Sequence, residues 1–296
     1  MADEYAQRLA RRRQIPRLVE QALKDAGIAG VFPTPLEAVQ EHVGIGEVID
    51  ISQLPEPIEA KKPAHWKSIL GAWLSGEKTI FVDFSQGEER SNFTEAHETA
   101  HELIPWHEEA FLLDHEATLF ADIKEGLEEE ANFGATALIF QNGRFHQHAL
   151  QHDRTISTPI LLAPDYRASY HATIRHYVEG HPEPLALLIT GRIKRTHGLP
   201  IWTAVESDSF REKYGPIGTR FPAGCLDHPE SLVELADESM GIALRPPSCQ
   251  VKIKDRGGSQ RDFATEAFFN QRCVFLMFSP KARVRTGRRV VAATKS

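Results

Sequence analysis

TEAHETAHELI, residues 94–104, runs without Gly or Pro until Pro105 and reads as a helix with Thr94 available as its N-cap. Inside it, His97-Glu98-Thr99-Ala100-His101 is an HExxH pattern. Residues four apart share a helical face, so both imidazoles can reach one metal ion. Glu98 is rotated about 100° from His97, which sets its carboxylate beside the metal, where it can take a proton from a water as general base. On these five residues alone, a surface helix with a hydrogen-bonded His pair is the competing reading.

A catalytic zinc needs a third protein ligand and an open position for water. Residues 125–140, EGLEEEANFGATALIF, read as a second, longer helix with a narrow packing face of Ala131, Ala135 and Leu138 or Ile139. Glu128 and Asn132 are again four apart, so Glu128 can complete the ligand set while Asn132 hydrogen-bonds the free nitrogen of a zinc-bound histidine. Glu130 is the second choice of ligand. The other glutamates of the run read as a solvated charge cluster.

Around these helices the chain is organised simply. Residues 17–26, RLVEQALKDA, read as a helix that follows Pro16 in its first turn and stops at Gly27. Thr34, Pro35 and Glu37 predict a capping box for a short helix ending near Gly44. Residues 68–84 hold two β-rich runs about Ser75-Gly76, a hairpin or a pair of adjacent strands. A helix is predicted from Tyr170 to Val178 after Ser169, and EGHPEP, residues 179–184, reads as a linker. Beyond it LALLITG, LPIWTAV, CQVKIK and RCVFLMF are β-rich, with one helical interval, ESLVELADESM.

The net charge of −7 over 296 residues does not mark the whole chain as a nucleic-acid or membrane binder, but the charge is uneven. Residues 251–296 carry a local +8 and the rest −15. Arg283, Arg285, Arg288 and Arg289 in the basic end are candidate phosphate-backbone contacts, with a solvated tail as the equal alternative. No stretch approaches the roughly 18 apolar residues of a membrane span, and the start lacks the apolar core of a signal peptide, so a cytoplasmic protein without a membrane partner is expected. Cys225, Cys249 and Cys273 show no CxxC spacing and read as free thiols. Cys225 and Cys249 sit in Pro-rich, loop-like contexts and are candidates for an inhibitory switch whose sulfur closes the zinc's water position; Cys273 reads as a buried strand residue.

HETAHELI followed by EEEANFGATALIF resembles the ImmA/IrrE metallopeptidases, whose HExxH helix is preceded by Phe-Thr-x-Ala and followed by an E-x-E-A-N-x-F-A-x-x-L-L helix. Phe93, Thr94 and Ala96 match the approach, and Glu128, Glu130, Ala131, Asn132, Ala135 and Leu138 fall on or near the second pattern. ILGAW before the motif and LLAPDYRASYHATIRHY after it extend the resemblance to roughly residues 15–180. This chain departs at Ala100, where Gly is usual, at Gly134, where Phe is usual, and at Phe140-Gln141 in place of Met-Pro. The resemblance implies an α+β protein: a zincin-like, mostly helical peptidase domain with a small β-sheet over residues 1–182, then a β-rich, GAF-like sensor domain with a basic tail over 183–296. It implies Zn2+ as cofactor and a helix-turn-helix transcriptional repressor as substrate. The two-domain layout is similar to the CapP-type peptidases of antiviral defence operons and to radiation-response members, which implies DNA damage or single-stranded DNA as the trigger. The alternative from another class is a non-catalytic, zinc-containing regulator that sequesters a repressor. A digestive peptidase is disfavoured by the missing export signal.

Overall fold

The computed structural model describes residues 2–53, 71–108, 121–192, 198–221, 224–226, 230–241 and 245–280. The chain divides into two compact units, Met1–Tyr177 and Val178–Ser296.

In the first unit, helix α1 (Ala2–Asp25) begins well before the predicted start and continues through Pro16. It does so because Ile15 and Val19, on either side of that proline, are both fully buried, and their packing outweighs the one backbone hydrogen bond a proline lacks. Helix α2 (Leu36–Val43) ends as expected at Gly44, whose left-handed φ of 84° suits glycine. Its capping box does not form: Thr34 Oγ1 donates instead to the Leu138 carbonyl at 2.9 Å, tying the helix entry to a distant element.

Strand β1 (Glu47–Asp50) pairs parallel with β3 (Thr79–Val82), and β2 (Gly71–Leu74) pairs antiparallel with β3, giving a three-stranded sheet of order β1-β3-β2. The β2–β3 hairpin turns over residues 75–78 with Lys78 left-handed at φ 50°. Helix α3 (Glu88–Leu103) packs against β2 and β3 and against helix α4 (Ala121–Phe140), while α1 also packs on α4. The start predicted at Thr94 is corrected: α3 begins after Gly87, so the polar stretch ahead of Thr94 is already helical and Thr94 is a buried residue inside it. Helices α5 (Gly143–Ala149), α6 (Ser157–Leu162) and α7 (Tyr170–Glu179) follow, and Ser169 Oγ accepts from Ala172 N at the head of α7. Ile80, Val82, Ala96, Ala100, Ala131, Ala135 and Leu138 are buried, so the two helices that carry the HExxH pattern and the glutamate run meet through small residues.

The second unit is one antiparallel sheet of order β6-β5-β4-β9-β8-β7. Its strands are β4 (Ala186–Gly191), β5 (Leu199–Glu206), β6 (Cys225–Leu226), β7 (Ser248–Lys254), β8 (Gln260–Phe269) and β9 (Cys273–Pro280). Helices α8 (Asp208–Tyr214) and α9 (Glu230–Ser239) supply Phe210, Tyr214, Leu232 and Leu235 to a core shared with Leu188, Phe263, Leu276 and Phe278 of the strands. Strand β8 and helix α8 were not anticipated, because QRDFATEAFF and DSFREKY are too rich in charge to read as buried elements; their apolar positions, Phe263, Thr265 and Ala267 for the strand, alternate inward.

Candidate metal centre

The crossing of α3 and α4 is set by two small residues. A Cβ added at Gly134 would lie 2.8 Å from the Cβ of Ala100, so the helices approach closely only because position 134 has no side chain. Two departures from the ImmA/IrrE pattern thus face each other: the methyl gained at 100 fits the space left at 134.

That approach brings three predicted ligands together. His97 Nε2 lies 3.1 Å from Glu128 Oε2 and 3.2 Å from His101 Nε2, and His101 Nε2 is 4.0 Å from Glu128 Oε1. One ligand atom from each of the three lies within 4.8 Å of the others. Metal–ligand bonds of about 2.0–2.1 Å in tetrahedral array put ligand atoms roughly 3.3 Å apart, so two imidazole nitrogens and a carboxylate oxygen at these separations fit a zinc-like ion. His97 Nδ1 donates to Asn132 Oδ1 at 3.1 Å, which leaves its Nε2 lone pair for a metal.

The electrostatics follow from burial and neighbours. Burial, with the neighbouring His97 and His107, holds the His101 pKa down to about 3, so the ring is neutral as a ligand must be. For His97, burial is outweighed by the Glu128 hydrogen bond and the Glu98 and Glu128 charges, and its pKa rises. The hydrogen bond with His97 outweighs burial at Glu128 and keeps that carboxyl below its ordinary value. Glu98 is buried at 7% exposure, and burial pushes its carboxyl up to about 7. It sits against Gly71 of β2, where an added Cβ would fall 2.6 Å from Glu98 Oε1; only glycine leaves the carboxylate that space.

Glu130 does not share the ligand face. Two residues beyond Glu128 it points elsewhere, and its Oε2 accepts from Trp106 Nε1 at 2.6 Å and His107 Nε2 at 3.2 Å. Those hydrogen bonds outweigh burial and hold the Glu130 carboxyl below its ordinary range. His107, Trp106 and Trp73 were not singled out from sequence. Trp73 stacks on His101 with centroids 5.5 Å apart, and its Nε1 donates to Glu102 Oε2 at 2.9 Å, with Lys78 on the same carboxylate. The available signal was Pro105: it ends α3 at Ile104, and the backbone turns helical again at once, which folds His107 back onto the helix.

The profile of the M78 peptidase family, described as the IrrE N-terminal-like domain, matches residues 56–176. Over those residues the chain is similar to the IrrE N-terminal-like domain. This IrrE-like segment contains all four residues of the cluster, His97, Glu98, His101 and Glu128, and is shorter than the span of the sequence resemblance. Among solved structures, a Mycobacterium tuberculosis transcriptional regulator shares the fold, with a TM-score of 0.52 and 14% identity over 90% of this chain and 76% of that one. A search of curated proteins finds no significant match.

The remaining candidates fall outside the matched segment. The loop context expected for Cys225 and Cys249 is corrected: both are strand residues of the second unit. Cys225 lies in the edge strand β6, where it pairs with Pro200 of β5. Cys249 lies in β7, half-buried against the second core. Burial, helped by Glu238 and Glu234, pushes its thiol up, away from the thiolate a metal requires. Cys273 is buried in β9. Arg283, Arg285, Arg288 and Arg289 lie outside the described residues. No described helix is long and apolar enough to cross a membrane.

Proposed function

We propose that this protein is a zinc-dependent endopeptidase that cleaves a helix-turn-helix transcriptional repressor. The observation that carries the reading is the convergence of His97, His101 and Glu128 on one point, with the buried Glu98 beside them. A zinc ion bound there would supply Lewis acidity and bring the pKa of water toward about 7. His97, His101 and Glu128 would hold the ion, and Asn132 orients His97. Glu98, neither a ligand nor solvated, takes the proton of the attacking water and passes it to the leaving amine. Gly71 leaves room for that carboxylate beside the edge strand β2.

A repressor as substrate is supported by the IrrE-like match and by the fold shared with a transcriptional regulator. We assign the peptidase to residues 1–182 and a GAF-like sensor to 183–296, a reading supported by the change from helix-rich to antiparallel-sheet structure after the linker. Single-stranded DNA or DNA damage is the proposed trigger, acting on the basic tail in the cytoplasm. Stimulation by single-stranded DNA should therefore fall with salt and with substitution of Arg283, Arg285, Arg288 and Arg289.

The deciding experiment incubates the zinc-loaded protein with the helix-turn-helix protein encoded beside it. The wild type should cut it. Glu98→Gln should keep its zinc but cut at least about 100-fold more slowly, the scale of a lost general base. Repressor release without cleavage, unaffected by Glu98→Gln, would make the protein a sequestering regulator instead.

A further inference from the structure

Beyond the ligands and the base, a buried row of polar groups runs outward from His101. His101 Nδ1 faces His107 Nδ1 at 2.9 Å, and His107 Nε2 faces Glu130 Oε2 at 3.2 Å. Exposures are 3% for His101, 0% for His107 and 5% for Glu130, so water cannot stand in for a missing partner. None of these contacts is used by the proposed mechanism.

The proton positions follow by elimination. An ionised carboxylate only accepts, and Glu130 already takes the Trp106 indole N–H, so the His107 nitrogen that faces it must carry a proton. His107 is wholly buried, which favours the neutral ring; that ring has one N–H, so a lone pair is left on His107 Nδ1. Two lone pairs opposed at 2.9 Å would repel, so the proton between the rings belongs to His101 Nδ1. His101 is then left with its lone pair on Nε2, the nitrogen that faces His97 and Glu128; the lone pairs that meet there, unlike a pair opposed between His101 and His107, surround a common point that a metal ion can occupy.

We propose that Glu130 and His107 form a positioning relay that locks His101 into the tautomer whose Nε2 can bind the metal. The geometry of the turn supports a built arrangement. Six residues along an unbroken helix, His107 would lie about 120° away from His101 around the axis. The break at Ile104-Pro105 brings it back, with His107 N bonded to the Ile104 carbonyl at 3.0 Å. Asn132 does the same for His97 in a single step, accepting directly from Nδ1. The partly solvated ligand has a one-residue support. The fully buried one is fixed through two residues that end on a carboxylate, the outer partner commonly found behind metal-bound histidines.

This relay rests on the metal-site reading for its purpose, but its proton pattern is testable without metal. In metal-free protein with 15N-labelled histidine, long-range 15N–1H spectra should show His101 as the Nδ1–H tautomer. His107→Leu should shift it toward Nε2–H and weaken zinc binding, measured by chelator competition, by about 10–100-fold. His107→Gln, whose amide oxygen can accept from His101 while its NH2 donates to Glu130, should restore the tautomer and bring affinity close to wild type. An Nε2–H tautomer in the wild type would overturn the proposal. So would a folded His107→Leu protein with an unchanged His101 spectrum. If the tautomer behaves as stated but the wild type binds no zinc at this site, the relay stands and the peptidase reading fails.

Discussion

At the scale of single residues, the site depends on what is absent as much as on what is present. Gly71 is the clearest case: a methyl there would meet Thr94 Cγ2 at 2.5 Å and Glu98 Oε1 at 2.6 Å. Gly71→Ala should therefore displace the Glu98 carboxylate, lowering peptide cleavage at least tenfold and stability by about 1–3 kcal/mol, the usual cost of overpacking. Cleavage assays and thermal melts measure the two effects separately, and zinc content should be unchanged. His97, Glu98, His101, Glu128 and Asn132 were legible as a set because i, i+4 spacing puts His97 with His101, and Glu128 with Asn132, on one face of each helix, with Glu98 about 100° round from His97. Gly71 and His107 were not. The first is a void and the second depends on a turn after a proline, and neither leaves a periodic trace.

At the scale of elements, the α3–α4 crossing is the joint on which the site is built. Gly134→Ala alone should cost about 1–3 kcal/mol, because two backbones must part to admit a methyl 2.8 Å from Ala100 Cβ. Adding Ala100→Gly should recover part of that cost despite glycine's lower helix propensity, so the double-mutant cycle should show favourable coupling. Denaturant titration of the four proteins measures it, and strict additivity would place the two residues out of contact. A second joint links α1 to α5, where Arg144 grips Glu20 through two hydrogen bonds of 2.6 and 2.9 Å. The bond to Arg144 outweighs burial and, with Lys24, lowers the Glu20 pKa from 4.5 to about 2. A depressed carboxylate stabilises the fold above its unfolded pKa and loses that contribution as pH falls through its folded one. Arg144→Ala should then be less stable than wild type by up to about 1 kcal/mol at neutral pH, with the gap closing between pH 4.5 and 2. The sequence showed α2 to within a residue and the end of α4 well. It misplaced the starts of α1 and α3, because Pro16 and Thr94 carry local start signals that tertiary packing overrides.

Over the whole molecule, the chain divides its chemistry as its charge does. The helix-rich unit holds the His97–His101–Glu128 cluster and belongs to the acidic part. The second unit is a sheet whose strand β7 alternates buried Val251 and Ile253 with exposed Lys252 and Lys254. Alternation of that kind made β7 readable and a continuous apolar run did the same for β9, whereas β8 was hidden by its charged outer face. The proposed zinc site of His97, His101 and Glu128 is tested most directly by anomalous diffraction at the zinc edge from crystals of the zinc-loaded protein. It should show one ion about 2.0–2.2 Å from His97 Nε2, His101 Nε2 and a Glu128 oxygen, with Glu130 still on His107. An ion bound elsewhere, or held by Glu130 in place of Glu128, would contradict it.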